Sequence, residues 1–92
     1  MMVYVWNAER AGDKMRAIRS QKGLLLREVS QATGVSRQML SYYEQGKKMI
    51  PPTAMSAIAS FYQVSLEDLF FDLVNGEDYD RTNYEEDEDS TE

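Results

Sequence analysis

Between Gly34 and Lys48 the chain reads GVSRQMLSYYEQGKK. If this stretch is helical after its opening turn, Leu40 and Tyr43 fall on an inward stripe, and Arg37, Gln38, Ser41 and Tyr42 are left on or near the outer surface. These outer residue types can read the edges of bases: arginine suits O6 and N7 of guanine, and glutamine suits N6 and N7 of adenine. Lys47 and Lys48 follow Gly46 and suit phosphates, where charge matters and sequence does not. Ser36 and Arg27 are further phosphate candidates. This is the chemistry of recognition rather than turnover. The chain has no histidine and no cysteine, so the commonest general base, the thiolate nucleophile and the usual soft metal ligands are all missing. Carboxylates, tyrosines and lysines remain, with no carboxylate pair in a plausible pocket. No enzyme activity, metal or cofactor is expected.

The formal charge of −6 looks wrong for a partner of a polyanion, but it is segregated. Residues 1–74 hold nine basic and seven acidic residues, a balance of +2. Residues 75–92 hold nine acidic residues against Arg81 alone, a balance of −8. The body is mildly basic and the acidity sits in the tail. Low polarity runs are only a few residues long, too short for a membrane span, and MMVYVWNAER lacks the basic start and small-residue cleavage site of a signal peptide. A cytoplasmic location is expected.

The elements that must position this constellation can be read from periodicity and punctuation. Residues 1–7 are β-prone (Val3, Tyr4, Val5, Trp6) and form an N-terminal extension, either a strap on the first helix or an arm that pairs with another subunit. A helix from about Ala8 to Lys22 carries Ala11, Met15 and Ile18 inward and ends at Gly23. A second, from about Leu25 to Thr33 with Val29 and Ala32 inward, stops at Gly34. Ser36 caps the third, which Gly46 closes. Pro52 pre-sets the first turn of a fourth, to Tyr62, with Met55, Ile58, Ala59 and Tyr62 inward. Ser65 opens a fifth, whose stripe of Leu66, Leu69, Phe70 and Leu73 runs to the stop at Asn75-Gly76. The expected fold is all-α: a compact five-helix bundle over residues 8–74 containing a helix-turn-helix, followed by an acidic, disordered tail over 75–92.

The stretch AGDKMRAIRSQKGLLLREVSQATGVSRQMLSYYEQGKKMIPPTAMSAIASFYQVSLEDLF resembles the Xre/Cro/phage-repressor helix-turn-helix family over about residues 11–70. Gly34 and Val35 fall where that family has its turn glycine and buried valine, and Glu44-x-Gly46-Lys47 falls on its E-x-G-K. The resemblance implies that Arg19 pairs with Glu44, locking the third helix onto the body. It also assigns base readout to Arg37, Gln38 and Tyr42, with Ser41 nearby. One departure stands out: Leu25 and Leu26 replace the hydroxyl cap and glutamine that usually open the second helix, so that helix is expected to be poorly capped. The two leucines fill a crevice under the first helix or meet a protein partner.

The function expected from residues and resemblance together is sequence-specific binding of double-stranded DNA by a transcriptional regulator, a repressor that holds a pseudo-palindromic operator as a homodimer. Leu66, Leu69, Phe70 and Leu73 of the fifth helix are the expected dimer interface, with the N-terminal extension as the other candidate. The rival is an antitoxin-like or other protein-interaction module that autoregulates its promoter. The tail is a solubilising segment, an autoinhibitor of the basic face, or a recruiter of a basic protein.

Overall fold

The computed structural model describes residues 1–77; the tail expectations lie outside the described residues from position 78 onward, while Asn75 ends a strand. The chain runs β1 (Met2–Trp6), α1 (Ala8–Gln21), α2 (Leu26–Thr33), α3 (Arg37–Glu44), α4 (Pro52–Tyr62), α5 (Leu66–Phe70) and β2 (Phe71–Asn75). Five helices enclose one core of Ala11, Met15, Val29, Leu40, Tyr43, Ile50, Ala54, Ile58, Ala59, Tyr62, Leu69 and Phe70. Ile18 and Met55 are half-buried at its margin, whereas Ala32 is exposed. That stripe spacing is what amphipathic helices of a small bundle need, since each must bury one face and keep the other wet.

The termini of the helices follow local chemistry. Asn7 caps α1 by accepting the Arg10 amide at 2.9 Å. The Ser36 and Ser65 hydroxyls accept the Met39 and Asp68 amides at 3.2 and 3.0 Å. The second helix is better held than its leucines suggest. The Glu28 carboxylate, three residues into the segment, reaches back to accept the Leu25 amide at 2.8 Å, supplying half of a capping box without any hydroxyl.

The expectation of an all-α fold is corrected at both ends of the described chain. Residues 1–7 do not strap a helix; β1 pairs antiparallel with β2, with Met2 opposite Asn75, Tyr4 opposite Leu73 and Trp6 opposite Phe71. The fifth helix is one short turn and a half, not a stripe to Asn75. Leu69 and Phe70 are each 1% exposed in the core, Leu66 is half-buried, and Leu73 lies on β2. The dimer surface expected on this helix is thus already occupied within the monomer or belongs to another element.

The reason the helix stops is a lysine on α1. Lys14 Nζ donates to the Asp68 carbonyl at 3.1 Å and the Phe71 carbonyl at 2.9 Å, groups a longer helix would use internally. It also pairs with Asp72 at 3.0 Å, while Arg10 Nε donates to the same carboxylate at 2.7 Å. A cation at the C-terminus of a helix is favourable in its own right. Extended backbone then suits Phe71 and Val74, and Trp6 meets Phe71 edge-on across the strands at a centroid distance of 6.2 Å.

Burial of Asp72 opposes its charge, but the hydrogen bonds and charges of Lys14 and Arg10 outweigh it and hold the carboxyl below the usual range. A carboxyl depressed in the folded state contributes stability that is present above its unfolded pKa of about 3.9 and is lost as the pH falls through the lower folded value. Asp72→Asn is therefore expected to unfold more readily at neutral pH and to lose less stability than the wild type on acidification below about pH 4, read from urea midpoints at several pH values.

Candidate nucleic-acid interface

The turn between α2 and α3 is built from residues that satisfy each other. Gly34 adopts φ 80° at the end of α2, a left-handed conformation that costs glycine little. The Thr33 hydroxyl donates to the Val29 carbonyl at 2.8 Å and accepts the Val35 amide at 3.2 Å, so the short connection leaves few loose polar groups. Ser36 then starts α3 with Leu40 and Tyr43 turned into the core.

The outer face of α3 presents the residues expected to read bases. Arg37 and Gln38 are exposed in its first turn, and Ser41 and Tyr42 are half-buried one turn on. The Gln38 amide donates to the Tyr42 hydroxyl at 3.1 Å, which orients Gln38 while leaving its carbonyl oxygen and a second N–H free. Lys48 Nζ lies 5.7 Å from the Tyr42 ring centroid, so the ring draws this charge back beside α3. Ser41 accepts from the Gln45 amide at 2.9 Å and keeps its hydroxyl proton to donate. Ser36, Lys47 and Arg27 are exposed, with Arg27 in the first turn of α2 and Lys47 beyond α3. Sequence reasoning placed the pieces on this face, but not the Gln38–Tyr42–Lys48 chain that joins them.

Behind the face, α3 is fastened to α1 by a forked ion pair. Arg19 Nε meets Glu44 Oε2 at 2.7 Å and its Nη2 meets Oε1 at 3.0 Å. The remaining Nη1 donates to the Leu24 carbonyl at 2.9 Å, holding the turn after α1 as well. Glu44 is only 6% exposed. The hydrogen bond to Glu44 leads the upward displacement of the Arg19 pKa, against the opposing effect of burial. Nearby, burial and then the Glu44 charge push the Tyr62 phenol up to about 12, so it is neutral at any physiological pH.

Gly12 was not singled out by sequence, yet it sets how closely α1 approaches α3. A β-carbon there would overlap the Glu44 carbonyl and lie 2.7 Å from the Tyr43 carbonyl oxygen. The available signal was a glycine inside a helical pattern, which usually has a packing reason. Leu25 is 53% exposed, while Leu24 and Leu26 pack half-buried against the core, so the two leucines that open α2 do not share one environment.

A helix-turn-helix family profile matches residues 15–69, more than half of the chain. This chain belongs to the HTH_3 helix-turn-helix family. Its HTH_3 unit is of the Cro/C1 type, the Xre class. The fold is similar to that of the clp gene regulator ClgR from C. glutamicum, with 31% identity over 67% of this chain and 80% of that one and a TM-score of 0.61. It is equally similar to the BldD DNA-binding domain of S. venezulae, with 31% identity, 68% and 94% coverage and a TM-score of 0.60. The restriction-modification controller protein C.AhdI from Aeromonas hydrophila shares the fold at 21% identity, with 68% and 96% coverage and a TM-score of 0.65. A search of curated protein sequences gave no match. Family and neighbours support a DNA-binding regulator rather than an enzyme. Among the described residues no helix is long and apolar enough to cross a membrane, and no cluster of acidic side chains is arranged to hold a metal.

Two outcomes follow for the HTH_3 scaffold. Arg19→Met leaves the buried Glu44 with only the more exposed Arg16, at 3.9 Å, and is expected to cost about 2–3 kcal/mol, under the ~3–5 of a fully buried pair because Arg19 keeps some solvent and Arg16 remains nearby. The double change Arg19→Met/Glu44→Leu should regain much of that loss in the same urea titration. Gly12→Ala is expected to cost about 1–3 kcal/mol by forcing α1 from α3, read as a lower thermal midpoint.

Proposed function

We propose that this protein is a transcriptional repressor that occupies an operator in double-stranded DNA by inserting α3 into the major groove. The observation that carries the reading is the outward face of α3. It presents an arginine and a pre-oriented glutamine in its first turn, the end of a recognition helix that meets base edges. Arg37 reads guanine and Gln38 reads adenine, with Tyr42 and Ser41 beside them. Ser36, Arg27, Lys47 and Lys48 contact phosphates and set register. Similarity at 31% identity to a gene regulator and to a DNA-binding domain supports the same class.

Repression, rather than activation, is the simplest action for such a DNA-binding body: bound at a promoter, it excludes polymerase. One helix-turn-helix contacts a short stretch, so useful affinity calls for two copies on half-sites about 34 Å apart on one face of the duplex. The operator is then pseudo-palindromic and the protein binds as a homodimer.

Selection of sites from a random duplex library, followed by fluorescence anisotropy at several salt concentrations, tests this. Wild type should select a two-fold-symmetric site. Arg37→Ala and Gln38→Ala should each lose about 1–3 kcal/mol and relax preference at one position per half-site. Lys47→Ala should weaken all sequences alike and lower the salt slope by about one. Failure to select any site, with no salt-sensitive binding, would sink the proposal.

A further inference from the structure

Of the large apolar residues left exposed among the described residues, Met1, Met2, Tyr4 and Leu73 gather on the two-stranded sheet, at 82%, 58%, 53% and 52% exposure. The hydrogen-bond pattern shows what lies beside them. The Gly76 amide donates to the Met1 carbonyl, so Met1 and Gly76 form a hydrogen-bonded pair. Such pairs alternate along an antiparallel ladder, and the observed register therefore makes Val3–Val74 and Val5–Asp72 the next two. The N–H and C=O groups of Met2, Tyr4 and Trp6 point the other way, out of the sheet edge.

That edge lacks the usual protections. Native proteins blunt edge strands with charge, proline or bulges. MVYVW has no charged residue and no proline, and its five residues pair in unbroken register with β2. The opposite edge differs. On β2 the Phe71 amide is taken by the Glu67 carbonyl and the Phe71 carbonyl by Lys14, and the strand leads into the acidic residues from Glu77 onward.

We infer that β1 is the dimerisation element, adding antiparallel to β1 of a second copy to give a continuous four-stranded sheet in the order β2-β1-β1-β2. The occupant is another copy because the edge is self-complementary. With Tyr4 opposite Tyr4 on the two-fold axis, Met2 falls opposite Trp6, and every outward N–H and C=O of the strand finds a partner. The side chains of Met2, Tyr4 and Trp6 share one face, so the same register joins the exposed apolar patches of the two copies. Charge agrees. The neutral strands meet at the centre, and in the sequence the acidic residues follow β2, the outermost strand of each copy, rather than β1. The inference deepens the dimer of the proposed function and rests on it.

The chain has no cysteine, so Tyr4→Cys gives one thiol per copy. In the Tyr4-centred register the two Cα atoms lie about 5.5 Å apart, inside the roughly 4.4–6.8 Å range a disulfide spans. Without DNA, mild oxidation should cross-link Tyr4→Cys and leave Met49→Cys, exposed elsewhere, uncross-linked. Tyr4→Pro removes only an outward N–H and spares the β1–β2 ladder, and Tyr4→Lys sets like charges on the two-fold axis. Both should keep the helical circular dichroism and weaken dimerisation by about tenfold or more in sedimentation equilibrium. A wild-type dimer that neither cross-links at residue 4 nor responds to Tyr4→Pro and Tyr4→Lys overturns the β1 assignment and leaves the dimer standing. A wild type that stays monomeric overturns both, whatever its DNA affinity. A monomer that captures an extended peptide on this edge also overturns the inference.

Discussion

The guanidinium of Arg19 grips the carboxylate of Glu44 across the gap between α1 and α3, and the aim of the outer face of α3 depends on that grip. Glu44 ends α3 and is almost fully enclosed, so its charge would be costly without a partner. Arg19 answers with two parallel hydrogen bonds and spends its third nitrogen on the Leu24 carbonyl. A lysine would supply charge but not this fork. Gly12 permits the close approach that brings the two groups together. A short helix of eight residues has little stability of its own. Fixed at its start by Ser36, along its length by Leu40 and Tyr43 and at its end by Glu44, it becomes a rigid platform for Arg37 and Gln38.

A second set of charges does related work at the other end of the molecule. Lys14 and Arg10, also from α1, converge on Asp72 and on the carbonyls that close α5. The effect is to end a helix and start a strand within one residue. The first helix is thus the organising element: its Arg19 orients the candidate recognition helix, and its Arg10 and Lys14 position the sheet.

Much of the candidate site was legible because its signals are local. Ser36 caps, Gly34 turns and the three- and four-residue spacing of Leu40 and Tyr43 depend on neighbours within one turn of chain, and a sequence displays those directly. The Gln38–Tyr42 hydrogen bond was in principle visible at its i, i+4 spacing, but whether the two side chains meet depends on rotamers that spacing does not fix. Glu28 as a cap for α2 was similarly readable three residues past Leu25, since its carboxylate reaches the Leu25 amide without any hydroxyl.

What the sequence by itself determined was a mildly basic body with an acidic tail, helices bounded by caps and glycines, and a recognition segment with an inward and an outward side. Only the tertiary structure decided the fate of residues 66–75. Leu66, Leu69, Phe70 and Leu73 keep a helical spacing, yet the last of them lies on a strand, because β1 pairs there from the far end of the chain and Lys14 takes the carbonyls the helix needed. Periodicity reports which side of a local element is apolar. It is blind to a hydrogen-bonding partner that arrives from some seventy residues away, and strand pairing is of that kind.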